Sequence, residues 1–197
     1  MTKFEQLKLI LKSNNGFIRT SEAVENDISR SYFLDFVKAN ELIKITNGLY
    51  MSEDAWQDDL FVIQTRYPDA IFSHETATYL LNLTDREPFD ISLTLPTGKG
   101  SFRLNQENIN VYKIKDDLFE VGLIETTTSS GNKVRTYDME RTFCDVARSR
   151  NNIEVQQFQS YINNYMQSKN KNIPKLMRYA KKFSVDKIIK RYMEVLL

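Results

Sequence analysis

An α+β fold in two parts is what this sequence predicts: a small helical unit closed by a β-hairpin, then a larger domain of strands followed by helices. Three observations carry that reading. Asn47-Gly48 stands between two short strand-forming runs, directly after a helix-patterned stretch. Turn signals at Pro96-Thr97-Gly98 and Ser130-Gly131-Asn132 punctuate a series of strand-like runs. From Asp138 onward the pattern is almost continuously helical. Strands first and helices last define an α+β domain, whose sheet is expected to be mainly antiparallel with terminal helices.

The elements follow in order. Phe4, Leu7, Leu9, Ile10 and Leu11 recur with a helical beat, so Thr2 to Ser13 is a first helix that Asn14-Asn15-Gly16 stops. Thr20 or Ser21 is suited to cap a short second helix, and Asn26-Asp27 turns the corner after it. Ser29 caps a third helix to about Asn40, with Phe33, Phe36 and Val37 as its buried stripe. Leu42 to Ile45 and Leu49 to Met51 are strands, joined where a glycine tolerates positive φ. Three helices and a hairpin in this order are the arrangement of a winged helix-turn-helix, assigned to residues 1–52. The polar, acidic stretch from Ser52 to Asp59 is the boundary, and residues 60–197 form the second domain. There Leu60–Tyr67 and Ser73–Asn82 read as helices. Ala70–Phe72, Ile91–Leu95, Ile109–Ile114, Leu118–Glu125 and Lys133–Tyr137 read as extended. Helices follow at Asp138–Arg148, Val155–Gln167, from Pro174, and at Ser184–Leu197.

Composition narrows the class of protein. With 41% hydrophobic and 27% charged residues, the 197-residue chain can build a core and is not a disordered polymer. No apolar run approaches the roughly 20 residues needed to span a bilayer. The N-terminus is amphipathic rather than a secretory leader. A single cysteine, Cys144, excludes an internal disulfide, and a cytoplasmic protein is expected. The net charge of +1 hides an asymmetry. Residues 51–132 hold 6 Lys/Arg against 14 Asp/Glu, and residues 133–197 hold 14 against 6. Such a distribution points to an anionic partner for the C-terminal third, or to a solvated lysine face.

A recognition helix presents its N-terminal residues to base edges, so the third helix supplies the candidate DNA-reading set. Arg30 can bond two acceptors on guanine. Ser29 and Ser31 can donate to phosphate, Tyr32 can touch a thymine methyl or a phosphate, and Lys38 lies further along the helix. Thr20 and Ser21 suit phosphate positioning, while Lys44 and Asn47 suit a wing contact. Lys133, Arg135, Lys181, Lys182, Lys187, Lys190 and Arg191 form a candidate basic C-terminal surface. Acidic neighbours (Glu22, Glu25, Asp27, Asp35 and Glu41) favour the competing use of such a unit as a protein-docking module.

Catalytic signatures are weak. His74 is the only histidine and reads as a cap-region or packing residue, and Cys144 as a buried thiol. One His and one Cys do not make a zinc site. Gly98-Lys99-Gly100-Ser101 lacks the upstream glycine of a phosphate loop, since Thr94 occupies that place. Asp58-Asp59, Asp85/Glu87 and Asp116-Asp117 read as solvated carboxylates. No catalytic residue, metal or cofactor is assigned. Arg141 and Asp145, spaced i, i+4, are expected to pair on one helix and to help fix it against the sheet.

Four stretches also carry a family likeness: "NGLYM", "RYPDAIFSHETATYLLNLTD", "YDMERTFCDVARSR" and "LMRYAKKFSVDKIIKRYMEVLL". In this order and spacing the chain resembles the AbiEi-family antitoxins, the regulator half of type IV toxin–antitoxin systems of phage abortive infection. The resemblance implies a bacterial autorepressor, a monomer whose copies pair on inverted repeats of their own promoter through the winged helix. It further implies a C-terminal domain that counteracts a nucleotidyltransferase toxin without a stable complex. Some relatives are proposed to modify the toxin as kinase-like proteins, and no kinase motif is visible here. A toxin-modifying or nuclease-like enzyme and a winged-helix interaction module remain the alternative readings.

Overall fold

The computed structural model describes residues 1–107 and 109–196, of which residues 105, 195 and 196 are described by their backbone only. The fold is mixed α/β with two sheets. It divides into two compact units: Met1–Pro68 with Thr127–Val134, and Asp69–Thr126 with the chain from Arg135 onward.

In the first unit the order is α1 (Lys3–Ser13), β1 (Phe17–Arg19), α2 (Thr20–Glu25), α3 (Arg30–Ala39), β2 (Ile43–Thr46), β3 (Leu49–Met51) and α4 (Asp59–Arg66). Thr2 opens α1 with a reciprocal cap: its hydroxyl accepts from the Glu5 amide (3.2 Å), and the Glu5 carboxylate accepts from the Thr2 amide (2.8 Å). The three strands form an antiparallel sheet in the order β1-β3-β2. β1 was not expected, because Phe17-Ile18-Arg19 is too short to show an alternation. Only Gly48 of the turn pair takes a positive φ (77°), and the register slips between Lys44 and Thr46. A bulge beside the turn supplies the twist that a turn with two positive φ angles would otherwise provide. Leu7, Ile18, Ala23, Ile28, Phe33, Phe36, Val37 and Leu42 make the core.

The boundary placed in the acidic stretch is corrected. α4 closes the first unit: Phe61 packs edge-on against Phe17 (centroids 5.1 Å apart), and the Arg19 guanidinium lies 4.8 Å from the Phe61 ring. Asp58, read as solvated, is buried. Its carboxylate caps the Phe61 amide (3.0 Å) and accepts hydrogen bonds from Thr128 and from Asn132 Nδ2 (2.8 Å). A capping aspartate and a buried one look alike in sequence, and a segment seventy residues away decided between them.

The second unit contains β4 (Ile71–Phe72), α5 (His74–Leu80), β5 (Ile91–Pro96), α6 (Phe102–Asn105), β6 (Ile109–Ile114), α7 (Asp116–Phe119) and most of β7 (Leu123–Thr127) and β8 (Lys133–Tyr137), whose ends at Thr127 and Lys133–Val134 fall in the first unit. Then come α8 (Met139–Arg148), a 3-10 turn at Arg150–Asn152, α9 (Val155–Gln167), α10 (Ile173–Lys182) and α11 (Asp186–Leu196). Leu197, assigned to the last helix, lies outside the described residues. The sheet order is β6-β5-β4-β8-β7. It is mixed rather than mainly antiparallel: β5 runs parallel to β6 and β4 parallel to β8, while β4 and β5 are antiparallel. Pro96-Thr97-Gly98 reads as a turn, but about a dozen residues separate β5 from β6, enough for a parallel crossover. The same crossover carries α6, and α7 takes the start of what read as one strand from Leu118.

Arg141 organises this unit. It is fully buried, and Nε donates to Asp145 Oδ2 (2.9 Å), as the i, i+4 spacing anticipated. Nη1 donates to the carbonyls of Leu118 and Val121 (both 2.8 Å), which ties α8 to the α7–β7 connection. The guanidinium sits between the rings of Tyr137 (4.0 Å) and Phe183 (4.1 Å). Gly122, at φ 83°, is required beside it, because a Cβ there would come within 2.7 Å of Arg141 Cβ. The remaining α8 acids are also engaged. Lys175 Nζ reaches Asp138 (2.9 Å) and Glu140 (3.3 Å), and Glu140 accepts from the Tyr165 hydroxyl (3.1 Å) and the Asn172 amide (2.9 Å). Burial pushes Asp145 above the usual carboxylate range, against the pull of Arg141 and Arg148. Replacing Arg141 with Met strands that charge and is expected to cost roughly 3–5 kcal/mol in urea unfolding. Adding Asp145→Leu should recover part of the loss.

Candidate nucleic-acid interface

Ten residues are too few for a helix to persist alone, so α3 exists because one face is buried. Phe33, Phe36 and Val37 enter the core, where Phe4 meets Phe36 edge-on (4.9 Å) and Tyr50 of β3 meets Phe33 (5.5 Å). Ser29 starts the helix, its Oγ accepting from the Tyr32 amide (3.4 Å). The helix phase then leaves Ser29, Arg30, Ser31, Tyr32, Leu34, Asp35 and Lys38 exposed. Arg30, Leu34 and Lys38 share one i, i+4 ridge. Arg30 has no hydrogen-bond or ion-pair partner among the described residues.

The hydroxyl assignments change in detail. Ser29 and Ser31 Oγ lie 3.2 Å apart, so the capping serine is engaged locally and Ser31 is the freer of the two. Neither Thr20 nor Ser21 caps α2. Arg19 holds the cap position, and its amide donates to Glu22 Oε2 (2.7 Å) while Asn14 Nδ2 donates to Oε1 (2.8 Å). Glu22 is thereby a joint between α1 and α2. The Thr20 amide donates to the Gly48 carbonyl (2.8 Å), which sets the start of α2 beside the hairpin tip. Ser21, Lys44 and Asn47 are exposed, and Thr20 is half-buried. Leu34 was missed as an exposed apolar contact. Its phase, one position past Phe33 and two before Phe36, is the signal that finds it.

The basic set is divided. Lys133 belongs to the first unit, whereas Arg135 on β8 of the second is half-buried and engaged. Lys181 and Lys182 of α10 and Lys187, Lys190 and Arg191 of α11 are all exposed. Because Asp138, Glu140 and Asp145 are paired internally, only Glu154, Asp186 and Glu194 remain as acids elsewhere in residues 133–197.

His74 is buried at a left-handed φ of 50°, with its ring stacked on Tyr112 (3.4 Å between centroids, 13° between planes). Nδ1 lies 3.0 Å from Ser73 Oγ and Nε2 lies 3.1 Å from Ser149 Oγ. Thr94 donates to Ser73 (2.8 Å), leaving the Ser73 proton for Nδ1 and the imidazole hydrogen for Ser149. Burial, then Arg148 and Arg141, hold the imidazole well below its ordinary pKa of 6.5. Among the described residues no group of three or more His, Cys, Asp and Glu is placed to hold a metal ion, and no helix is long and apolar enough to cross a membrane. The Cys144 thiol is buried and driven upward by desolvation.

Comparison with known proteins gives a likeness of fold. The chain is similar to the crystal structure of the RV2827C protein from Mycobacterium tuberculosis, with a TM-score of 0.55 and 11% sequence identity. The match covers 92% of this chain and 72% of that one. No family model matches the chain, and no curated protein matches it.

Two measurements check this geometry. Ser29→Ala should lower stability by about 1 kcal/mol in urea unfolding through loss of the cap, whereas Arg30→Ala should change it by less than about 0.5 kcal/mol. For His74 the folded pKa lies below the unfolded one, so the unfolded chain takes up the proton first. Its contribution is full above about pH 6.5 and is lost as pH falls, at up to about 1.4 kcal/mol per pH unit. In His74→Asn that slope, read by denaturant titration between about pH 6.5 and 5, should disappear.

Proposed function

We propose that the first unit is a winged helix-turn-helix that reads double-stranded DNA, and that the protein is an autoregulatory antitoxin of the AbiEi type. The observation that carries this reading is the two-sided α3. Its apolar face is fixed in a core of helices, while Arg30, Ser31, Tyr32 and Lys38 are exposed at its outer face. The antiparallel hairpin alongside, with Lys44 and Asn47 exposed, supports a wing that touches the backbone or minor groove. Arg30 bonds guanine bidentately, Ser31 and Ser21 position phosphates, and Leu34 offers an apolar contact to a thymine methyl. Two copies pair on an inverted repeat, one α3 in each major-groove half-site.

The exposed lysines of α10 and α11 support a second anionic contact in the same regulator, along DNA flanks or the RNA substrate of the toxin. The C-terminal unit counteracts a nucleotidyltransferase toxin, in keeping with the resemblance of its motifs. Exposed Tyr32, Leu34 and Ile43 favour a second reading, in which the same face docks a protein partner.

A gel shift with the DNA upstream of the protein's own gene separates the two. Arg30→Ala should lower specific affinity by about 5- to 150-fold, corresponding to about 1–3 kcal/mol, with little change on unrelated DNA. Charge reversal at Lys181, Lys182, Lys187 and Lys190 should weaken binding to any sequence and flatten the log–log salt slope by about 0.9 for each phosphate no longer neutralised. A protein-docking face predicts no retardation of the upstream DNA at all.

A further inference from the structure

The second unit contains a cleft of about 490 Å³ that the DNA-reading elements do not use. α9 supplies Gln159, Ile162 and Asn163 to its wall, and α11 supplies Ile188, Arg191 and Tyr192. Both triplets follow i, i+3, i+4 spacing, so each helix turns one continuous face into the opening. Arg150, from the 3-10 turn after α8, completes the lining. We propose that this cleft binds a nucleotide, with its phosphate on the two guanidinia and its base on the Ile and Tyr floor.

Charge gives the first half of the argument. Among the described residues, two guanidinia line the cleft and no carboxylate does. Arg150 commits Nη1 to the Ala147 carbonyl (3.2 Å), and Arg191 has no hydrogen-bond or ion-pair partner among the described residues. An anion in the cleft would form charge-assisted hydrogen bonds with these forks.

Shape and polarity give the second half. The volume falls in the range of small-molecule sites. Ile162 is buried, and the Tyr192 ring is held edge-on against Phe158, with centroids 5.0 Å apart and planes at 74°. A flat base therefore meets an apolar surface whose aromatic member is fixed in place. The Gln159 and Asn163 amides add donors and acceptors of the kind that read a base edge. Bare phosphate has no use for this floor, and a purely apolar ligand has none for two arginines. Lys181, Lys182, Lys187 and Lys190 differ: they are exposed side chains outside the cleft, suited to tracking a backbone.

Calorimetric titration of the full chain with the four ribonucleoside mono- and triphosphates, inorganic phosphate and pyrophosphate tests the proposal. At least one nucleotide should bind one-to-one with a Kd below about 1 mM. Arg150→Gln and Arg191→Gln should each weaken it by about tenfold. Tyr192→Ala should weaken the nucleotide and leave pyrophosphate unchanged. Thermal unfolding checks that each variant is folded, and Gln159→Ala with Asn163→Ala replaces the tyrosine variant if that one is not. No saturable heat from any nucleotide up to about 5 mM overturns the proposal. So does wild-type affinity in both arginine variants. Pyrophosphate binding as tightly as every nucleotide also overturns it, since the base would then play no part.

Discussion

Helix α3 can form only by burying one of its faces, and the architecture of the first unit follows from that constraint. Ten residues cannot repay the entropy of helix nucleation by hydrogen bonding alone. Phe33, Phe36 and Val37 supply the missing stabilisation against α1, Ile18 and Tyr50. The rotation that puts those three inward leaves Arg30, Leu34 and Lys38 outward with no freedom to exchange places. A surface fixed in this way has little backbone left to order on contact with any partner.

In the second unit the corresponding constraint is electrostatic. A fully buried arginine is unfavourable unless its donors and its charge are met. Asp145, two backbone carbonyls and two aromatic faces meet the charge, Nε and Nη1 of Arg141, while its buried Nη2 has no hydrogen-bond partner among the described residues. These contacts join α8 to α7, the α7–β7 connection, β8 and the end of α10. The surface changes as a result. Acids that would have offset the lysines of the C-terminal helices are turned inward, so the exposed charge of α10 and α11 is more uniformly positive than composition alone suggests. The pairing that holds this part of the fold therefore also sets the charge of that surface.

How much could be read from the chain depended on the distance over which each choice was made. The cap at Ser29, the Phe33/Phe36/Val37 stripe, the glycine turn and the Arg141–Asp145 pair are all decided within about four residues, and all were legible. The parallel β5–β6 pairing was not. A Pro-Thr-Gly turn fits a hairpin as well as a crossover, and only the partner strand distinguishes them. Asp58 was misjudged for the same reason, since its buried partners Thr128 and Asn132 lie about seventy residues onward. The candidate interface divides likewise. Helix phase identified Arg30 and Lys38 as outward, but the engagement of Arg135 and the cleft between α9 and α11 depend on neighbours that no local pattern reveals.

The sequence by itself determined the longer helices, the Ser29 cap, the turn and which face of α3 is apolar, because hydrophobic periodicity and capping are short-range physics. Tertiary structure alone decided strand direction, the extent of the first unit and the pairing of the α8 acids. It also decided which arginines are left to receive an anion. These outcomes rest on burial and long-range pairing, and a residue's burial is a property of everything packed around it.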